Sequence, residues 1–481
     1  MIKRRKSLTL NAVLNVIKQC CMIIFPMITF PYASRVLGVD NYGKINFGTS
    51  IISYIGLIAA LGINNYAIRE GARIKDNTNK LRSFVNEVYT VNMISTVVAY
   101  IVLGVLVAFW PKLHDYRNII WIQSLVVIFT TLGADWINII YEDYLFITIR
   151  YIICQLIAVL MMLFFVKSQD DYVLYAFVSV LGTVLANIFN IVHIRKSLDI
   201  HLSLKISSQL KKHFIPILII FGSSVATLIY INSDVTILGV LTNDATVGYY
   251  SVSVKIYSLI KQLMNAFLVV SIPRISKELA MEETGKVNSQ LDSILSILLI
   301  IIGPVIVGLV MLSQNIIILF AGQEYVQGTQ SLIILAIALG FATLACYYIN
   351  VIMLPNRMEK EILIATIFSA IVNIVLNFIL IPHYGASAAA FTTVISEMIM
   401  FLCGVWYTRR QKRHMRIKVA ISCLFGTVWT TLICGVMQKL FIGDVKIILL
   451  SVVGSVLGVV LIIIILWYNE IRSMRSNILR N

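Results

Sequence analysis

The sequence predicts an all-α integral membrane protein of about fourteen transmembrane helices: two six-helix bundles related by an internal repeat, plus two C-terminal helices. Three observations predict it. Of 481 residues, 59% are hydrophobic and only 13% charged, where a soluble domain carries about 25% charged residues. Lys and Arg fall overwhelmingly on alternate inter-span segments. A motif near the start is written again about two hundred positions later.

The spans come first. The mean hydropathy is +0.88, and crossing the hydrocarbon takes about 20 apolar residues per helix. Runs of that kind lie near 11–33, 44–66, 86–110, 118–140, 145–167, 172–193, 213–233, 248–272, 292–313, 329–353, 361–381, 385–407, 417–438 and 446–467. A β-barrel would alternate apolar and polar residues; Ile297–Ile302 and Val459–Leu466 do not. The opening MIKRRKSLTLNAVLNVIKQCCMIIFPM has the basic head of a signal peptide. Its apolar stretch is long, is mixed with Asn and Lys, and is followed by no A-x-A-like site, so it reads as the first span. All seven cysteines fall inside spans, with no C-x-x-C pair and no metal-ligand spacing to His, and read as small packing residues.

The net charge of +16 is a matter of topology. With the N-terminus inside, 29 of the 39 Lys and Arg lie in inner segments, seven in outer ones, and three (Lys18, Lys255, Lys261) within spans. Positive charge collects on the cytoplasmic side, so both termini are expected in the cytoplasm and the span count is expected to be even. No nucleic-acid partner is needed to explain the charge. The expected location is a cytoplasmic membrane, multi-pass.

The segments between spans exclude an enzyme. The longest, near 67–85, 194–212 and 273–291, hold about twenty residues each, too few for a soluble catalytic domain. There is no P-loop, no H-E-x-x-H and no G-x-S-x-G. No cofactor is expected. What remains is a protein that moves a substrate, or a scaffold.

The repeat favours the first. RVLGVDNYGKINF (Arg35–Phe47) returns as TILGVLTNDATVGYYSVSV (Thr236–Val254). Leu37-Gly38-Val39 matches Leu238-Gly239-Val240 at an offset of 201, and Asp135–Ile139 matches Tyr347–Val351 at 212. Tyr175-Ala176-Phe177 with Ala389-Ala390-Phe391, and His193–Lys196 with Tyr407–Arg410, follow at 214. Spans 1–6 thus repeat as spans 7–12, giving bundles at 1–205 and 206–412 and an appended pair at 413–481. Six is even, so both copies enter the membrane in the same direction, the parallel duplication that transporters use with a substrate site between halves. Packing alone is the competing reading.

Polar stripes follow helical spacing. Span 1 carries Asn11, Asn15, Lys18, Met22, Phe25 and Thr29; span 8 carries Ser251, Lys255, Ser258, Gln262 and Asn265; span 2 echoes it with Asn46, Ser50 and Ser53; span 11 adds Ser369, Asn373 and Asn377. A Lys at the bilayer centre costs roughly 3 kcal/mol, so these residues are expected to face inward, onto water or ligand. Bases outnumber acids: Lys18, Lys255 and Lys261 sit within spans and Arg35, Arg150 and Arg274 at their ends, against Glu397, Asp135 and Asp234. A cationic interior suits a phosphate or pyrophosphate. Lys255 is expected to bind ligand, to pair internally, or to snorkel. Lys261 lies off the Lys255 stripe and is the weakest candidate. Glu397 is a proton or sodium site, or the counter-ion of a Lys. Pro26 and Pro31 in FPMITFP, and Gly303-Pro304, are candidate hinges or static kinks.

FPMITFPYASRVLGVDNYGKINF resembles the first-span signature of bacterial polysaccharide-unit flippases, R-x-L-G-x-x-x-Y/F-G. GADWINIIYEDYLFITIR is similar to their D-W-x-x-x-G-x-E-x-[FY]-x-x-I-T-x-R, with Asp135, Trp136, Glu142 and Arg150 matching and Ile140 in place of Gly. KSQDDYVLYAF is similar to a third family stretch. The resemblance, spanning nearly the whole chain, is to the multidrug/oligosaccharidyl-lipid/polysaccharide exporter superfamily. It implies transfer of undecaprenyl-pyrophosphate-linked oligosaccharide repeats across the cytoplasmic membrane by alternating access, for capsule or O-antigen. On that reading Lys18, Arg35 and Lys255, with Asn15, Ser258 and Arg150, receive the headgroup. Glu397 and Asp135 are candidates for ion coupling. A lipid-linked oligosaccharide, membrane lipids, and a polysaccharide polymerase with glycosyltransferases are the expected partners. An ion-coupled exporter of cationic drugs on the same fold is the rival, and a non-transporting scaffold the third reading.

Overall fold

A computed structural model describes residues 8–205, 210–269, 271–272, 275, 281, 284–409 and 417–466. The terminal basic runs, Arg274, Lys277 and the run 410–416 lie outside the described residues. Every regular element among the described residues is helical. In order they are α1 (Leu8–Ala60), α2 (Ile63–Ile74), α3 (Thr78–Phe109), α4 (Arg117–Gly133), α5 (Trp136–Ile140), α6 (Tyr144–Phe165), α7 (Tyr172–Ser197), α8 (Lys211–Leu241) and α9 (Asp244–Val269). Then come α10 (Thr284–Ala321), α11 (Thr329–Cys346), a π-helical segment (Tyr347–Met353), α12 (Glu359–Tyr407), α13 (Ile417–Leu440) and α14 (Asp444–Leu466).

Ten stretches among the described residues are long and apolar enough to cross a membrane. Two are too long to be single crossings. The 53 residues of α1 would reach about 80 Å, against about 30 Å of hydrocarbon. The helix breaks where a glycine takes a backbone conformation that side chains resist: Gly38 (φ 70°, ψ 175°) in α1 and Gly385 (φ 53°, ψ −130°), three residues after Pro382, in the 49-residue α12. Helical backbone angles continue through Pro26 and Pro31, and the non-helical residue inside α1 is Gly38, in the repeated Leu-Gly-Val motif.

The chain divides into two compact units, Met1–Gly248 and Tyr249–Asn481. In the first, α8 packs on α1 and α2. Here the doubled motif has a physical meaning. A Cβ on Gly43 would lie 1.9 Å from the Asp244 carbonyl oxygen, and one on Gly248 would lie 2.4 Å from the Val39 carbonyl oxygen. Each copy supplies the glycine against which the other copy's backbone rests. Tyr116, which stacks edge-on against Phe47 at 4.9 Å, donates its hydroxyl to Asp244. At the other end of this unit, Ile63, Tyr66, Leu81, Phe84, Val88, Trp136, Ile137, Ile140 and Ile217 form an apolar cluster. Within it Tyr66 and the buried His213 hydrogen-bond at 2.6 Å, and His213 Nε2 meets Glu87 Oε2 at 2.9 Å. Ile140, the residue standing where the family stretch has Gly, is helical and fills the space over Gly71, where a Cβ would meet its Cδ1 at 2.3 Å. The left-handed turn falls two residues later, on Glu142 (φ 55°).

In the second unit α13 and α14 pack on α10. Gly303 admits Thr427 and Cys423, and Gly458 admits the Trp429 indole, whose Nε1 donates to the Gly454 carbonyl at 3.0 Å. The far sides of α13 and α14 expose Leu424, Phe425, Val453, Val456 and Leu457, as lipid-facing helices do.

Candidate functional site

The polar stripes do not all do the same thing. Ser369, Asn373 and Asn377, expected to face water or ligand, are fully buried and join the two arms of α12. Thr392 Oγ1 donates to Asn377 Oδ1 at 2.6 Å, Asn377 Nδ2 to Asn373 Oδ1 at 3.0 Å, and Ser369 Oγ to the Ser396 carbonyl at 2.9 Å. Away from water a polar group is satisfied by another helix, and that use competes with lining a path. Asn46, Ser50 and Ser53 donate to their own helix, at Tyr42, Phe47 and Thr49 carbonyls.

On α9 two polar stripes run one residue, or about 100°, apart. The first is Tyr250, Tyr257, Lys261 and Asn265. Tyr250 bonds Thr393 at 3.2 Å, Tyr257 donates to Glu397 Oε1 at 3.0 Å, and Lys261 Nζ reaches the same oxygen at 2.5 Å. Asn265 Oδ1 accepts from Asn350 in the π-helical segment at 3.1 Å. This stripe fastens α9 to α12 and to the π-helical turn. The second holds Ser251, Lys255, Ser258 and Gln262. Ser251 is buried, Lys255 and Ser258 are half-buried, and Gln262 is exposed. Lys255 has no hydrogen-bond or ion-pair partner among the described residues.

In the first unit Arg150 Nη2 donates to Asp135 Oδ1 at 2.7 Å, and its Cζ lies 5.3 Å from the centre of the Phe146 ring. Asn138 Nδ2 donates to the same carboxylate at 3.1 Å and to Asn190 Oδ1 at 2.5 Å, and Asn190 donates to the Gly133 carbonyl at 2.6 Å. Nε and Nη1 of Arg150 are buried and find no partner among the described residues. On α1, Asn11 is buried with an unpartnered amide, Asn15 is exposed and Lys18 half-buried without a partner among the described residues, while Arg35 is exposed. The structure therefore joins Asp135 to Arg150 and Glu397 to Lys261.

Residues 8–279, more than half of the chain, match the family described as polysaccharide biosynthesis protein. The chain belongs to this family. Among curated proteins it is 22% identical to the "Putative O-antigen transporter" of Escherichia coli K12 over 86% of this chain and 99% of that protein. It is 30% identical to the "Probable flippase AglR" of Haloferax volcanii over 34% of each. Among solved structures it resembles the lipid II flippase MurJ in an inward closed conformation, with a TM-score of 0.70, 16% identity, and 96% of this chain and all of that one covered. An inward-facing multidrug transporter of the MATE family follows at 0.63, with 13% identity over 80% of this chain and 94% of that one. These likenesses fix the fold of this family member as that shared by MurJ and MATE proteins.

Glu397 is the counter-ion of a Lys, one of the roles its sequence position left open, but most partners that complete these groups carry no local signal. Lys261 lay off the Lys255 stripe, yet Tyr257, Lys261 and Asn265, spaced four apart, form a ladder of their own. Glu87 and His213 lie 126 positions apart, and no local pattern announces them.

Proposed function

We infer that this protein is a flippase that carries lipid-linked oligosaccharides across a membrane by alternating access, in polysaccharide biosynthesis. The similarity to an O-antigen transporter over 99% of that protein's length carries the reading. The substrate is an oligosaccharide on undecaprenyl pyrophosphate in the cytoplasmic membrane of a bacterium, handed over by glycosyltransferases and passed to a polymerase. Lys255 is the principal headgroup cation, an unpartnered ammonium held by a rigid helix beside Ser258. Lys18, Arg35 and Asn15 extend that role to the first unit, where Arg150 adds positive charge from behind Asp135. Asp135 and Glu397, each bonded to a base, are the carboxylates through which an ion acts on the cycle. Fourteen spans with both termini cytoplasmic fit ten crossing stretches, of which α1 and α12 each count twice, with α4 and α9 supplying two more.

The test uses protein in vesicles with a fluorescent undecaprenyl-pyrophosphate oligosaccharide. Transfer of the label between leaflets well above protein-free vesicles is expected. Absence of transfer, together with ion-driven efflux of a cationic dye, would replace the flippase with a drug exporter.

A further inference from the structure

The Lys261–Glu397 pair is more than a cross-link between α9 and α12. Glu397 has 5% of its side chain exposed and Lys261 26%, so the acid is the buried member and the base is half-buried. The carboxylate oxygen that holds Lys261 also accepts from Tyr257, so losing Lys261 does not leave that oxygen without a donor. The Lys261 ammonium lies 5.7 Å from the centre of the Tyr257 ring. Stability is a poor reason for such a pair. A buried ion pair roughly breaks even against apolar residues of the same shape. Beside it, α11 ends at Cys346 and gives way to a π-helical turn, a geometry that recurs at functional sites, and that turn holds α9 through Asn350. Lys255 stands six residues earlier on the same helix, about 9 Å along its axis.

Resting on the reading of this protein as a flippase of pyrophosphate-linked sugars, we propose that Lys261 is a second phosphate-binding cation held in reserve by Glu397. When the anionic headgroup reaches α9 beside Lys255, the ammonium leaves the carboxylate and donates to a phosphate oxygen. Glu397 keeps the Tyr257 hydroxyl. No covalent bond changes. A lysine suits this exchange better than an arginine, because it is a compact charge on a flexible stem. The carboxylate sets a threshold: a weak anion does not displace Lys261, whereas pyrophosphate, with more charge and more acceptors, does. The site therefore selects diphosphate headgroups over monophosphate ones.

The experiment uses purified full-length protein, with inorganic pyrophosphate and phosphate as probes and lipid transfer in vesicles as the second readout. In Glu397→Gln the competitor is gone, so pyrophosphate should bind about tenfold more tightly and the preference over phosphate should narrow. In the double variant Lys261→Met/Glu397→Gln, which removes the pair while keeping its shape, thermal stability should stay near wild type and lipid transfer should fall about tenfold. Wild-type affinity in Glu397→Gln, or wild-type transfer in the double variant, would overturn the proposal. If wild-type protein moves no lipid-linked oligosaccharide while Glu397→Gln still tightens pyrophosphate, the flippase reading fails and the reserve cation stands. If wild type moves lipid and Glu397→Gln leaves pyrophosphate affinity unchanged, the reverse holds.

Discussion

Two of the acid–base pairs on membrane helices, Asp135–Arg150 in the first unit and Lys261–Glu397 in the second, are built in opposite senses. In the first unit the base is buried and the acid is open: Arg150 is 7% exposed and Asp135 32%. In the second the acid is buried and the base is half-buried, with Glu397 at 5% and Lys261 at 26%. The residue that faces outward decides what a pair offers. At Asp135 the less buried member is a carboxylate backed by a guanidinium, the arrangement proposed above to serve a cation or a proton. At Lys261 the less buried member is an ammonium backed by a carboxylate, the arrangement proposed above to serve an anion. Two pairs of the same chemistry thus give the two units different electrostatic faces, and Lys255, with no partner among the described residues on the neighbouring stripe of α9, adds to the second.

This asymmetry can be broken by removing one partner at a time. Taking away the open partner leaves the buried charge uncompensated, which costs about 3–5 kcal/mol. Asp135→Ala and Lys261→Met should therefore lower thermal stability most. Arg150→Met and Glu397→Gln leave the more open member behind, and should cost clearly less. Equal losses for both members of a pair, measured by thermal unfolding in detergent, would mean that the difference in burial carries no energetic weight.

A smaller effect is expected where shape holds the first unit together. Gly43→Ala and Gly248→Ala push a methyl group into a backbone carbonyl, and overpacking of this kind costs about 1–3 kcal/mol. The two substitutions act on one contact, so the double variant should lose less than the sum of the singles. Full additivity would show that the two motif copies do not rest on each other.

The smallest effect concerns charge at an exposed turn. Asp171 accepts from the backbone N–H groups of Lys167 and Ser168 and from the Ser168 hydroxyl, and the first of these contributes most to holding its carboxyl below the ordinary carboxylate range. A carboxyl lowered in the folded state contributes stability above its unfolded pKa, and that contribution fades as pH falls through the lowered value. The protection of the Lys167 and Ser168 amides from exchange, relative to an unstructured chain at the same pH, should fall in acid in the wild type. In Asp171→Ala that protection should be low and insensitive to pH in that range. An unchanged pH response in the variant would remove Asp171 as the cause.

The sequence showed the membrane fold well because each span is a contiguous run, whereas the break at Gly38 was not legible, since the same Leu-Gly-Val at Gly239 lies inside the continuous helix α8. Lys255 was legible for the same reason: its stripe is local. Partners distant in sequence were not. Glu397 lies 136 residues from Lys261, and whether it meets Lys255 or Lys261 depends on how α12 faces α9. Ser369, Asn373 and Asn377 read as a lining because a polar stripe that cross-links two arms of one bent helix has the same spacing as one that meets water. The left-handed turn at Glu142 was hidden because the residue there is not the glycine that such a turn usually announces.

The central claim is that α9 offers the Lys255 ammonium to the phosphate-bearing head of a lipid-linked sugar. The most direct measurement compares transfer of a fluorescent undecaprenyl-pyrophosphate oligosaccharide by wild type, Lys255→Ala and Lys255→Arg at matched protein content in vesicles. Lys255→Ala should transfer about tenfold more slowly, a loss of about 1.4 kcal/mol in the barrier, and Lys255→Arg should recover part of the rate. Wild-type transfer by Lys255→Ala would contradict the claim.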